Sequence, residues 1–508
     1  MKQILEKTIR LLKLTVLLTC IFNSSYAQDK TFSVSGQKTV LQVNLDKVVM
    51  EDFLGVNGVY HGFAWMPEIC ARGFDDVDRQ RELDRVKSME LQIARTYYRP
   101  NWAGVENGIA GPFDWESPQM KAFYKWLGEM KKLGVDVALQ AAWGFPSDTH
   151  LGRENADPER DPAEFAAWVS ESVRQIVVER GFDNVKYLIM LTEPTTSPWG
   201  KAPEGWELWP YYVKVIREVD QQMKRDETRN LVKFVGPNNH SVNGFEQLRL
   251  TESTKELQDV LDIYGAHTYL APENAYENWR AFMDQVREAV ATAPKPIWLD
   301  EYNVLREWET HVRDQPEHGT YLAEVVAASL DAKMQTSMIW LLFDQLYAAP
   351  VDKVTNNNSF YNGVHRWGTT KWPNDDIEAP GTPYPAWYAY SMMSKYLGGG
   401  EGTNVYETIG QEGLHINAVR QKNGSWSFLV VNSDASEKEF KIQFSRSLRA
   451  TLERHIYDPA KVKCTEAAVI PGVDKTFGKV KKNFTDTIPA GAVAVYVSKH
   501  KPLPAGAP

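Results

Sequence analysis

The chain has 508 residues, with 57 Lys and Arg against 66 Asp and Glu, for a formal net charge of −9. An acidic chain with no basic cluster excludes nucleic acid as the expected partner. Aromatics reach 12% (17 Trp, 22 Tyr, 20 Phe), and those in Pro/Gly-rich loops cannot all be core; exposed rings stack well on the flat faces of sugars.

The N-terminus carries Lys2, Lys7, Arg10 and Lys13, then an apolar run over 14–22, then Ser25-Tyr26-Ala27. That order reads as a secretory signal peptide, residues 1–27, and predicts export to a periplasm or the exterior. The run is too short to cross a bilayer and nothing later is long enough, so no integral membrane span is expected. Leu17-Leu18-Thr19-Cys20 keeps open a lipid anchor through Cys20, although Thr is a poor residue before a lipidated Cys. Only Cys70 and Cys464 follow the signal, so the fold rests on packing and not on a disulfide framework.

Residues 28–49 alternate apolar and polar (Val34, Val40, Val43, Leu45) and are expected to add strands to a β-sandwich built mainly from the other end of the chain. Over 50–398 the pattern changes to strand-like apolar runs at 53–56, 91–96, 135–141, 185–191, 231–235, 261–266, 295–299 and 336–342. Amphipathic stretches of helical spacing separate them at 76–89, 118–133, 162–180, 209–225, 275–293 and 319–333. Eight strands with intervening helices predict an α/β fold, a (β/α)₈ TIM barrel. The rival, a doubly wound open sheet, would want a Gly-rich phosphate turn after the first strand, and Gly55-Val56-Asn57-Gly58 lacks the spacing.

Residues 343–383 form a long irregular segment with Tyr347, Tyr361, Trp367 and Trp372, read as a loop roofing the barrel mouth. A last helix follows at 384–397 and ends on Gly398-Gly399-Gly400. Residues 399–508 carry short strands at 414–421, 425–432, 439–444, 450–457 and 492–495, with a hairpin turn at Lys422-Asn423-Gly424-Ser425. This is the accessory antiparallel β-sandwich domain.

The chemistry sits at the strand ends. Glu193 follows the fourth run and Glu301 follows the seventh, at the end of the barrel where active sites are built. Two positioned carboxylates suffice to cleave a glycosidic bond, without metal or cofactor. No His/Cys/Asp cluster has metal-ligand spacing, and no Gly-x-Ser-x-Gly elbow is present.

Leu191-Thr192-Glu193-Pro194 and Trp298-Leu299-Asp300-Glu301-Tyr302 resemble the acid/base and nucleophile segments of the retaining (β/α)₈ glycoside hydrolases of the 4/7 superfamily, clan A. The added sandwich is similar to that of the β-xylosidase and arabinofuranosidase branches. The resemblance implies Glu193 as general acid/base and Glu301 as nucleophile, acting on a carbohydrate substrate by double displacement. It further implies Arg95 beside the nucleophile, His267 and Tyr269 as the pair contacting it, and Trp340 under the sugar. Trp143, Asn238-Asn239-His240 and Trp367 complete the candidate cleft. Where the family usually places Asn before the acid/base, this chain has Thr192, which puts the sugar's 2-hydroxyl contact in question.

Plainer readings stand beside these. Glu193 could interact with a helix N-terminus, Arg95 could be a barrel-interior ion-pair residue, His267 a hydrogen-bonded core histidine, and Trp340 packing only. Tyr361, Trp367 and Trp372 could fold the long loop on itself, and Asp300 is read as structural. A secreted, non-catalytic carbohydrate-binding barrel and an inverting hydrolase are the alternative functions. Arg99, Arg306, Arg366 and Lys371 lie in strand-end loops and could meet acidic sugars. Oligomeric state is left open.

Overall fold

The computed structural model describes residues 39–71, 73–103, 112–141, 161–194, 202–240, 249–304, 313–346, 360–361, 364–373 and 378–499. Eight parallel strands close into a barrel: Val56–Val59, Ile93–Tyr97, Asp136–Gln140, Val185–Ile189, Lys233–His240, Ile263–Leu270, Ile297–Val304 and Thr336–Ile339. The first pairs with the eighth through Val56 and Ser337, which completes the ring. These are called barrel strands one to eight. Their apolar runs follow from being covered on both sides, by side chains within the barrel and by helices outside.

The helices begin and end where their capping residues stand. Helix Asp76–Met89 starts on Asp75, whose carboxylate accepts from the Val77 and Asp78 amides. Helix Pro118–Leu133 starts on Ser117 with Pro118 in its first turn, and stops on Gly134 at φ 72°. Helix Asp161–Val173 widens into a π-helical turn over Arg174–Glu179, so one predicted helix becomes two geometries.

Inside the barrel, Ile93, Ala138, Tyr187, Ile189, Val235, Ile263, Trp298 and Met338 form a separate apolar plug. The Trp298 indole meets the Tyr187 ring edge-on at 4.6 Å. This plug is the floor on which the strand-end residues stand.

Nine further strands form a second sheet. In order these are Val473–Val480, Ala450–Tyr457, Val493–Lys499, Trp426–Asn432, Leu414–Arg420, Asn404–Ile409, Thr39–Met50, Lys438–Phe444 and Asn483–Ile488. The first and last of that order are joined through Lys481 and Lys482 alone, so the sheet must fold back on itself, and Phe477 meets Phe484 at 4.8 Å across the closure. The enclosed core includes Leu41, Val43, Phe428, Ile442 and Tyr496. Strand Thr39–Met50 pairs with Asn404–Ile409, which places an N-terminal segment inside a sheet built mostly from the far end of the chain. The turn at 422–425 closes with Gln421 and Ser425 paired and Gly424 at φ 84°.

Barrel helix Glu317–Asp331 docks on this sheet. Gly319 lies flat against Tyr457, where an added Cβ would come within 2.7 Å of the ring. The Tyr457 hydroxyl donates to the Pro316 carbonyl, and Asn417 Nδ2 donates to Asp331 Oδ1 at 2.8 Å.

In the loop after barrel strand eight, Gln345–Leu346 pairs with Val364–His365, and Val364–His365 with Phe360–Tyr361. Of its aromatics, Trp372 does not reach the barrel mouth: it is buried and stacks on Phe74 at 4.9 Å. Residues 1–38, which include the signal-like segment and Cys20, lie outside the described residues, as do Trp143, Arg306 and the side chain of Tyr361.

Candidate active site

Glu193 and Glu301 meet at the C-terminal end of the barrel. An oxygen of each carboxylate and a ring nitrogen of His267 all lie within 4.8 Å of one another. Their environments differ. Glu193 keeps 12% of its side chain exposed, Glu301 only 5%.

Barrel strand four stops at Ile189, earlier than its apolar run, and Glu193 follows it in a bend at φ 46°. A left-handed glutamate is uncommon and needs its surroundings to hold it. Its amide donates to the Asn238 carbonyl at 3.0 Å. Thr192 is buried, and its hydroxyl faces that of Tyr97 at 3.5 Å.

Glu301 reaches the interior through an irregularity. Strand six is regular, so Ile263, Gly265, His267 and Tyr269 share its inward face. On strand seven, Trp298 points inward and Leu299 outward into the helix layer. Strict alternation would then turn Glu301 outward. Instead Ala266 pairs with Leu299 and His267 with Glu301, which leaves Asp300 as an unpaired extra residue. The bulge restores Glu301 to the inside. Asp300 therefore does not point away from its neighbour: it too faces inward, deeper, fully buried, with Oδ2 accepting from Asn238 Nδ2.

Glu301 is clamped from three sides. Arg95 Nη1 lies 2.8 Å from Oε2, the Tyr269 hydroxyl donates to Oε1 at 2.5 Å, and His267 Nδ1 lies 3.4 Å from Oε2. His267 Nε2 lies 3.2 Å from Glu193 Oε1, so this imidazole stands between the two carboxylates. Burial by itself would raise the Glu301 pKa, but the charges of His267 and Arg95 and the hydrogen bonds outweigh it and hold the carboxyl well below its ordinary range. Burial by itself would lower His267, yet the facing Glu301 and Glu193 push it up to about 10. Tyr269 is raised well above its ordinary value, first by burial and then by Glu301, and so keeps the proton it donates.

Arg95 is itself fixed. Its Nε donates to Gln140 Oε1 at 3.0 Å and its Nη1 to the Asp300 carbonyl at 2.7 Å. Asn238 Oδ1 accepts from its Nη2 at 3.5 Å. The ion-pair reading of Arg95 and the site reading coincide, since its partner is Glu301.

The walls are aromatic. Trp340 meets His61 at 5.1 Å and Tyr97 at 5.8 Å, both edge-on. Trp367 meets Tyr269 edge-on at 5.2 Å, and His240 meets both Tyr269 and His267. Three neighbours were not singled out from sequence: His61, Tyr97 and His365. His61 stacks on Tyr97 at 4.7 Å and accepts from the Tyr97 amide through Nδ1. Burial, then Arg95, pushes His61 well below its ordinary pKa, so it is neutral and carries its proton on Nε2. A histidine directly after the first barrel strand was the available signal. Of the strand-end cations, Arg99 packs over Phe63 at 4.5 Å and Lys371 over Tyr384 at 5.4 Å.

Among the described residues, Glu193, His267 and Glu301 are the one trio close enough to hold a metal ion. The set fits a metal poorly. Arg95 already occupies Glu301 Oε2, and both nitrogens of a protonated His267 are turned to carboxylates, so neither is a free lone pair.

No family model and no curated protein matches the sequence. Solved structures do match by shape. The catalytic domain of a GH30 xylanase C from Talaromyces cellulolyticus superposes with a TM-score of 0.62 at 14% identity, covering 91% of this chain and 100% of that one. A GH39 β-xylosidase from Caulobacter crescentus gives 0.60 at 12%, with 91% and 100% covered. SrfJ from Salmonella typhimurium gives 0.61 at 11%, with 94% and 95% covered. The likeness spans barrel and accessory sheet together, and at these identities it speaks for the fold.

Proposed function

We propose that the protein is an exported O-glycoside hydrolase that cleaves a carbohydrate by double displacement with retention. The observation that carries this reading is the pair of carboxylates, with oxygens within 4.8 Å, in unequal surroundings. Retaining enzymes hold their two carboxyls about 5–5.5 Å apart, whereas inverting ones leave about 6.5–9.5 Å for a water. The shared barrel-and-sheet fold of xylan- and xyloside-cleaving enzymes supports the substrate class. Export rests on the signal-like N-terminus.

In this reading Glu301, kept ionised by Arg95, His267 and Tyr269, attacks the anomeric carbon. Glu193, the more exposed carboxyl, passes its proton to the departing glycosidic oxygen as that bond breaks. Water enters on the vacated side, gives its proton to Glu193 and displaces Glu301 from the anomeric carbon. The products are the released alcohol and a free sugar, with both carboxyls back in their starting states. Trp340, Tyr97 and Trp367 offer faces and edges for the sugar ring. Arg95 balances charge without touching substrate.

The test is turnover of aryl glycosides by the wild type, Glu301→Ala and Glu193→Ala. Glu301→Ala is expected to fall to background on every substrate, while Glu193→Ala retains turnover of those with acidic phenol leaving groups, which need no proton. Full activity in Glu301→Ala refutes the assignment. Glycan binding without turnover by the wild type would establish the carbohydrate-binding alternative instead.

A further inference from the structure

Two of the strands around strand six carry bulges at the same height. On strand five the register passes from Pro237–Gly265 to Asn239–Ala266, which leaves Asn238 unpaired at φ 59°. On strand seven the unpaired residue is Asp300. These two extra residues reach each other across strand six, Asn238 Nδ2 donating to Asp300 Oδ2. They do so over Gly265, where an added Cβ would stand 2.7 Å from Asp300 Oδ2 and 3.1 Å from its carboxyl carbon. Any side chain at that position would sit where the bridge now lies.

Each end of the bridge holds one of the two glutamates. The Asn238 carbonyl accepts the Glu193 amide at 3.0 Å, which anchors a residue in a left-handed conformation. Asp300 immediately precedes Glu301, and its carbonyl accepts the same Arg95 Nη1 that pairs with Glu301 Oε2. Arg95 Nη2 also faces Asn238 Oδ1, so one guanidinium ties both ends together. We infer that the Asn238–Asp300 bridge, seated on Gly265, is a positioning device that sets the separation of Glu193 and Glu301, and with it the retaining course. The inference rests on the proposed roles of those two glutamates.

The bridge needs a donor on one side and an acceptor on the other, and substitutions can separate these needs. Asp300→Asn still offers an oxygen to Asn238. Asp300→Ala removes the acceptor. Asn238→Asp keeps the shape and the tolerance of positive φ but replaces the donor with an oxygen, so the bridge re-forms only when one of the two acids is protonated.

The experiment compares wild type with these three variants by crystal structure and by kcat, KM and pH profile on an aryl glycoside. Asp300→Ala is expected to widen the carboxyl-oxygen separation beyond 4.8 Å. Its kcat should fall roughly 10- to 100-fold with KM changed less than about threefold, because misplacement by an ångström costs rate more than binding. Asn238→Asp should lose kcat near neutral pH and recover it toward acid pH, while Asp300→Asn stays within about threefold of wild type. Unchanged separation in Asp300→Ala overturns the inference, as does an Asn238→Asp defect that is the same at every pH. If Asp300→Ala does not fold, Asn238→Asp against Asp300→Asn decides. The separations are read from structures alone, so a wild type without turnover would refute the glycosidase reading while still leaving the bridge decided.

Discussion

Replacing Arg95 by Met removes a buried charge 2.8 Å from Glu301 Oε2 and keeps most of the side-chain volume. With charge centres about 4 Å apart and an effective dielectric near 20, the lost attraction is about 4 kcal/mol, or about three pKa units. His267 stays beside the same oxygen and takes up part of that loss, so a rise of about one to three units is expected for Glu301. In the proposed double displacement Glu301 must be ionised to attack, so activity is present above its pKa and lost as pH falls through it. The acidic limb of kcat/KM should therefore move to higher pH by one to three units, on the order set by that charge. Gln140 Oε1 and the Asp300 carbonyl also lose their donor, and breaking a buried pair typically costs about 3–5 kcal/mol of stability, which a thermal melt would register. The assay is a pH-rate profile of the purified variant on an aryl glycoside, taken below its melting temperature. A folded Arg95→Met with the wild-type acidic limb would refute the claim that Arg95 keeps Glu301 ionised.

Tyr269→Phe removes the hydroxyl donor to Glu301 Oε1 and leaves the ring packed beside Trp367 and His240. A hydrogen bond to a charged group is worth about 1.5–3 kcal/mol, so kcat/KM should fall about 10- to 150-fold with the melting temperature little changed. A loss under twofold, measured by steady-state kinetics, would contradict it. His267 links stability to pH. Its folded pKa of about 10 lies above the ordinary 6.5, so its contribution is complete below about pH 6.5 and is lost as pH rises through about 10. Thermal melts across that window should show wild type losing stability more steeply than His267→Gln, and parallel curves would show that the charge on His267 is not what the two glutamates hold.

The barrel was legible because parallel strands covered on both faces must be apolar throughout, and seven of the eight runs fall within a few residues of their strands. The first run slipped, from 53–56 to Val56–Val59, because Asn57 and Gly58 break it. Asn57 serves the Gln92 and Ile93 amides, and Gly58 makes room for Leu342, whose side chain would stand 2.7 Å from an added Cβ. Strand Val473–Val480 was not expected, since it lies at one end of the sheet order with a largely exposed face and no alternation to read.

Strand-end position and family resemblance brought Glu193, Glu301, Arg95, His267 and Tyr269 together on paper, and the structure gathers these five within hydrogen-bonding and ion-pair reach around Glu301 and His267. Asn238, Trp340, Trp367 and Thr192 border them. What stayed hidden were the bulges. Alternation counted from Trp298 puts Glu301 on the wrong face, and the pairings with strands six and eight reveal the extra residue. Pro237-Asn238 was the available hint, a residue without an amide proton followed by one that tolerates positive φ. His365 lies in an aperiodic loop, where sequence pattern carries no directional information.

The central claim is that Glu193 and Glu301 cleave a glycoside by double displacement. The most direct measurement is proton NMR of the anomer first released by the wild-type protein from an aryl glycoside, recorded before mutarotation. Retained configuration is the predicted result, and an inverted first product would contradict the account.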